Sequence, residues 1–188
     1  VDKHFELNNL TLLTGANASG KSSVIQALLI LKNASESEEA NCVLTLENPR
    51  FAFDFGYADS LINRELQEDK VTIGIDENGL VSFDGEKQNQ DRKLVVEVSC
   101  PDLLKKVFAN GLTYLNAERQ GPRYEYVLTS TAEMNCGCHG ENTGNVINDN
   151  WNSRIAGNRL PENNVETAFF NIALDKWVDY IFPGIAVR

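Results

Sequence analysis

Between Leu10 and Leu29 the chain reads LTLLTGANASGKSSVIQALL. An apolar strand-like run meets a glycine, then four residues, a second glycine, a lysine and two serines, and an apolar helical pattern follows. No other stretch limits the possible folds as strongly. Gly15 and Gly20 permit backbone angles and close approach that a Cβ would block. A tight turn between a strand and a helix gathers backbone N–H groups at the helix N-terminus into a concavity of partial positive charge, suited to phosphate oxygens. The pattern of two glycines, Lys and Ser is that of a phosphate loop. A chance match is expected in under roughly 1% of chains this long. The residues expected to hold a nucleotide are Gly15, Asn17, Ala18, Ser19, Gly20, Lys21, Ser22 and Ser23. Lys21 reaches the β- and γ-phosphates as a point charge, the Ser22 hydroxyl ligates Mg²⁺, and Ser23 adds a hydrogen bond to the α-phosphate. The expected ligands are therefore the phosphates of a nucleotide, with Mg²⁺.

At 188 residues the chain is long enough for a proper core. A formal net charge of −10 argues against coating nucleic acid by general electrostatics. A local basic groove stays open, as does DNA contact through regions outside this segment. No apolar run approaches the roughly 20 residues needed to span a bilayer, so no membrane association is expected. The 4 cysteines are too few and too irregularly spaced for a secreted disulfide scaffold. Cys42 and Cys100, beside apolar runs, are expected to be buried thiols in a reducing cytoplasm.

Along the chain, FEL (5–7) predicts a short strand, NN (8–9) a turn and LTLLT (10–14) a buried strand. Apolar residues at 24, 25, 28, 29 and 31 predict a helix from Lys21 to about Asn33, so that 5–33 forms a strand, loop and helix. Strands are then expected at 42–47, 70–76, 79–85 and 92–99, with DENG (76–79) as a hairpin turn. Residues 42–99 thus read as an antiparallel β-subdomain, not the alternating strand–helix order of a simple doubly wound fold. A helix over 102–109 precedes a strand, LTYLNAER (112–119). Residues 129–163 read as irregular loop, and 164–182 as a helix ending at Pro183-Gly184. Trp177, at helical spacing with Phe169, Phe170, Ala173 and Ile181, is expected in the core.

ANASGKSS resembles the N-x-S-G-K-S core common among ABC, SMC and RecF-like ATPase heads, and the antiparallel meander resembles the β-subdomain those heads carry. YLNAERQGPRYEY (114–126) is similar to the Y-[IL]-S-A-[ED]-R-x-G-P-R segment of bacterial AAA-annotated, SMC-like ATPases, among them the Septu-type, retron-associated and OLD-like groups. FDFG (53–56), LINRE (61–65), GENT (140–143) and WVDYIFPG (177–184) fit the same family. The resemblance implies an α/β fold: a P-loop NTPase head of ABC/SMC type with an antiparallel β-subdomain. It also implies ATP and Mg²⁺ as cofactors, a homodimer in which two heads sandwich nucleotide, and an HNH or Toprim nuclease as partner or fused domain. A Q-loop-like region falls at 112–128, where Gln120 would link Mg²⁺ and the attacking water.

The sequence departs from a complete head. VTIGIDE (71–77) ends in Asp76-Glu77 like a Walker B strand, yet it leads directly into the DENG turn and is read as a hairpin. No other apolar strand ending in Asp-Glu occurs after residue 45, and no LSGGQ-like signature occurs either. The expectation is an N-terminal lobe over 1–188, truncated before signature and Walker B, that binds nucleotide without competent hydrolysis. Two alternatives stay open: a non-catalytic nucleotide-sensing scaffold and a small-molecule kinase. Arg119, Arg123, Arg154 and Arg159 could pair with phosphate or an acidic partner, or fix loops through carboxylates such as Glu118 and Glu125. In NCGCHG (135–140), Cys136, Cys138 and His139 suggest zinc, but C-x-C-H without a nearby fourth ligand reads as a flexible loop with incidental thiols.

Overall fold

The computed structural model describes residues 3–48, 53–62, 70–75, 78–85, 92–118, 121, 125, 135–161 and 167–185. The chain divides into two compact units, 1–48 with 53–112 and 49–52 with 113–188. The first is a helix-backed antiparallel sheet. Its strands are β1 (Asn41–Thr45), β4 (Lys70–Ile75), β5 (Asn78–Asp84) and β6 (Lys93–Val98), in the order β1-β6-β5-β4. Two further short strands, β2 (Glu47–Asn48) and β3 (Phe53–Asp54), pair antiparallel beside it. All three pairings in the main sheet are antiparallel, and Ile75 opposite Asn78 leaves two residues to join β4 to β5. Asp76 and Glu77 themselves lie outside the described residues. The antiparallel subdomain expected from the alternating apolar pattern is therefore present.

β6 shows why these residues form a sheet with one buried face. Leu94, Val96 and Val98 are buried while Lys93, Val95 and Glu97 are exposed, the period of two that a pleated strand imposes. The buried side chains meet Leu44, Leu80, Val81 and Phe83 from neighbouring strands. Ile30, Leu31 and Ala34 of α1 (Lys21–Ser35) join this core, as does Leu104 of α2 (Pro101–Val107). Asn33 Nδ2 donates to the Thr45 carbonyl at 3.1 Å, fixing the C-terminal end of α1 to β1. The helix is thus buried over its second half, at Leu29–Leu31 and Ala34-Ser35, while Ile25 remains exposed.

The FDFG segment has a structural task. Phe53 and Phe55 stack with ring centroids 4.3 Å apart. Asp54 accepts the Gly56 N–H at 2.8 Å and Arg92 Nη2 at 3.2 Å, while Arg92 Nη1 reaches Glu47 at 2.8 Å. One guanidinium therefore clasps the β2–β3 ribbon to the entry of β6. The Asp54 and Glu47 carboxylates hold the Arg92 guanidinium above its ordinary pKa, so it keeps its charge.

The second unit contains α3 (Thr143–Asn150), β7 (Arg154–Ala156), β8 (Thr167–Phe169) and α4 (Phe170–Ile181), with β7 and β8 antiparallel. Three expectations are corrected here. LTYLNAER is not a strand over its described residues, 112–118. Within 129–163, of which 135–161 are described, α3 and β7 are regular elements that the sequence pattern did not announce. The last helix begins at Phe170, not 164, because Thr167–Phe169 pairs with β7 instead. Trp177 is 39% exposed and not core: its indole N–H donates to the Arg159 carbonyl at 2.7 Å, and its ring meets Tyr180 edge-on. Cys100 likewise is exposed, at the N-cap of α2, and Cys42 is half-buried.

Residues 5–7 and 10–14 also differ from expectation. Neither forms a strand, and Leu10 and Leu12 are 78% and 77% exposed. A strand exists only by pairing, and among the described residues these segments pair with no neighbour. No described helix is long and apolar enough to cross a membrane. The core arrangement predicts that Leu94→Ala, at a fully buried position of β6, lowers unfolding free energy by about 2–5 kcal/mol in urea titration.

Candidate functional site

A helix start is normally stabilised by a side-chain cap and by acidic residues in the first turn. α1 has neither: its N-cap is Gly20, with no side-chain cap hydrogen bond, and the first turn carries no acid. Lys21 instead places a positive charge at the positive end of the helix. The local sequence is therefore arranged against helix stability and in favour of a negative ligand.

The loop geometry agrees. Gly20 has φ 86°, and Ala18, a non-glycine, has φ 62°. Only a turn that the surrounding chain enforces holds alanine there, at a cost of roughly 1–2 kcal/mol. At Gly15 a Cβ would stand 2.9 Å from Ser19 Oγ. The glycine thus admits the Ser19 hydroxyl across the turn. Ser23 N–H donates to the Gly20 carbonyl at 3.1 Å, so the Lys21 and Ser22 amides head the helix.

Lys21 folds back over this loop. Its Nζ donates to the Gly15 carbonyl at 3.0 Å, the Ala16 carbonyl at 2.6 Å and Ser19 Oγ at 3.4 Å. The ammonium is held within the turn. Asn17, Ala18, Ser19, Gly20, Ser22 and Ser23 are solvent-exposed around it. The structure brings Gly15–Ser23 together as one cradle whose shape and charge suit a polyphosphate. Among the described residues no group of three His, Cys, Asp or Glu could hold a metal by itself. Within the loop, the Ser22 hydroxyl at the head of α1 is a group that could ligate a Mg²⁺ ion arriving with phosphate.

A cavity of about 820 Å³ opens beside the loop, between residues 3–8, the flank of α1 and the end of β4. No local pattern announces it, since β4, far beyond α1 along the chain, supplies one of its walls.

The other candidates separate. Gln120, Arg119 and Arg123 lie outside the described residues. Arg154 and Arg159 belong to the second unit; the Arg154 guanidinium sits 5.8 Å from the centre of the Phe169 ring, and Arg159 gives its carbonyl to Trp177. NCGCHG forms a hydrogen-bonded turn. Gly137 N–H bonds Asn135 Oδ1 at 3.0 Å, Asn142 N–H bonds the Cys136 carbonyl at 2.9 Å, and Asn116 N–H bonds the Cys138 carbonyl at 2.7 Å. Glu141 accepts the His139 N–H at 2.8 Å, and its carboxylate fills the space a Cβ on Gly137 would need. His139 Nδ1 is engaged with the Glu118 carbonyl. Burial, and then the Glu141 carboxylate, push the Cys138 thiol above its ordinary pKa.

A family profile described as an AAA domain, putative AbiEii toxin, Type IV TA system matches residues 10–73. That match, spanning the loop, α1 and the sheet as far as β4, supports a P-loop ATPase-type, nucleotide-binding domain in a mixed α/β chain. No curated protein and no solved structure matches the chain.

Two outcomes follow. Gly20→Ala, at a position where a Cβ meets nothing within 4 Å, is expected to cost about 1–2 kcal/mol through backbone strain alone, read by denaturant melting. Alkylation followed by mass spectrometry is expected to label exposed Cys100 first and Cys138 last. Because the Cys138 pKa is raised, its thiolate fraction is lower at any given pH, and its labelling rises only on moving to more alkaline pH.

Proposed function

We propose that the chain binds the triphosphate of a nucleotide, ATP with Mg²⁺, in the cradle formed by Gly15, Asn17, Ala18, Ser19, Gly20, Lys21, Ser22 and Ser23. The observation that carries this reading is the Lys21 ammonium, held over the Gly15 and Ala16 carbonyls at an uncapped, acid-free helix start. On binding, Lys21 passes from those carbonyls to phosphate oxygens. The amides heading α1 meet the phosphates, and the Ser22 hydroxyl turns to the metal. Bound Mg²⁺ supplies charge neutralisation between adjacent phosphates.

Within this reading the protein acts as a nucleotide sensor and not, by itself, as a hydrolase. The sequence supports this, because VTIGIDE (71–77) leads directly into DENG and reads as a hairpin. A carboxylate pair spent on a hairpin is not the strand-end pair that orients water beside a metal. The resemblance around Tyr114–Tyr126 extends the proposal to an ABC/SMC-type head. Such a head pairs with a second head and governs a DNA-directed effector of the HNH or Toprim nuclease class.

Equilibrium dialysis with MgATP tests the proposal. Lys21→Ala is expected to weaken binding roughly 10- to 100-fold, the loss of a charge-assisted hydrogen-bond set. The melting temperature should not fall, since the substitution removes a positive charge from the positive end of the helix. Unchanged affinity in Lys21→Ala overturns the phosphate assignment. The sensor reading is tested separately by phosphate release from MgATP, expected to be no higher for the native chain than for Lys21→Ala.

A further inference from the structure

An asparagine followed by glycine is a place where a polypeptide can attack itself. With no Cβ in the way, the glycine amide nitrogen is free to close on the asparagine side-chain carbon. The pair occurs twice in this chain, at Asn78-Gly79 and at Asn110-Gly111. The structure puts the two in opposite surroundings.

Asn78 and Gly79 open β5, where their backbone pairs with Ile75 and Gly74 of β4. Backbone held in a ladder must first open before it can bend onto its own side chain. Asn110 lies instead in the turn after α2, and both it and Gly111 are exposed. Among the described residues the Asn110 side-chain amide makes no hydrogen bond. A Cβ built on Gly111 would meet nothing within 4 Å, so no packed neighbour keeps water from this amide. The Gly111 N–H donates to the Phe108 carbonyl at 2.9 Å. That bond belongs to the open turn past the last helical residue, where helix ends fray.

We infer that Asn110 is a site of spontaneous deamidation in the folded chain, with water as co-reactant, and that Asn78 is protected. The Gly111 nitrogen gives its proton to solvent and bonds to Asn110 Cγ. The side-chain carbon–nitrogen bond breaks, ammonia leaves, and a succinimide ring remains. One water then opens the ring at either of its carbonyls. The product is aspartate, or isoaspartate when the main chain now runs through the side-chain carbon. No electrons change hands, and each conversion adds one negative charge to the formal −10.

The place of this site in the chain gives it weight. The first unit ends at Leu112 and the second resumes at Thr113. A new carboxylate, or an extra main-chain methylene, therefore appears just before the chain passes from one unit to the other. It also stands past the carbonyl end of α2, where a negative charge is unfavourable and Lys105 and Lys106 fill the last turn.

The experiment ages the native chain at neutral pH in buffer and in urea, and follows it by anion exchange and peptide mapping. Isoaspartate is read by methyl transfer from S-adenosylmethionine with an isoaspartate carboxyl methyltransferase. In buffer a more acidic form should accumulate, with conversion at Asn110 at least roughly tenfold ahead of Asn78, whereas in urea the two should convert at similar rates. Asn110→Gln, at an exposed position, should remove the acidic form, because the longer side chain closes a less favourable ring. The assignment is overturned if Asn78 keeps pace in buffer, or if neither site converts there while the urea sample does. It is equally overturned if the acidic form persists in Asn110→Gln.

Discussion

The Lys21 ammonium stands at the positive end of α1, where it raises the helix's electrostatic energy, and the loop around it must offset that cost. It does so with main-chain carbonyls: Gly15 and Ala16 turn their oxygens to the charge. That arrangement demands the unusual backbone of the turn, with left-handed Gly20 and Ala18 and a glycine at 15 that lets the Ser19 hydroxyl in. The turn in turn needs a helix that does not move. α1 is anchored at its far end, through Ile30, Leu31 and Ala34 in the core and through Asn33 on the Thr45 carbonyl. Core packing at one end of the helix thus holds a strained, charged loop at the other.

The same division explains why the exposed first half of α1 matters. A helix buried along its whole length would have no flank to lend to a cavity. Here Ser23, Val24 and Ala27 border open space, while two turns later the helix is fully packed. The sheet contributes similarly. β6 and β5 are buried at its centre, and β4, at the edge, has one face free to form a wall.

Local patterns in the sequence were the readable ones. In KLVVEV the charged Lys93 and Glu97 mark the exposed face and Leu94, Val96 and Val98 the buried one, apolar Val95 on the exposed face being the exception. The close spacing of runs 70–75 and 78–84 signals their antiparallel pairing. The phosphate-loop residues were legible because their chemistry is contained in nine consecutive positions. Leu10–Thr14 misled because apolar content suggests a strand but cannot supply its neighbour. α3 was missed for the opposite reason. TGNVINDN is poor in helix formers, and its buried Asn150 is satisfied by the Val146 carbonyl and the Ser153 hydroxyl, bonds visible only once the helix exists. Trp177 was placed in the core by its spacing, yet its indole N–H finds a carbonyl near the surface, as an amphipathic ring does. The cavity was invisible because nothing in residues 3–8 announces that β4 will lie opposite.

The back-folded lysine has one more consequence. A cation already satisfied by two carbonyls gains little from a lone monovalent anion, which would replace those contacts with a single weaker one. A ligand must present several negative oxygens at once, enough to draw the ammonium out and engage the helix amides in the same movement. On the proposed reading, chloride and other simple ions would leave the turn closed on itself, and the loop would answer to the number of charges on a visitor before its identity.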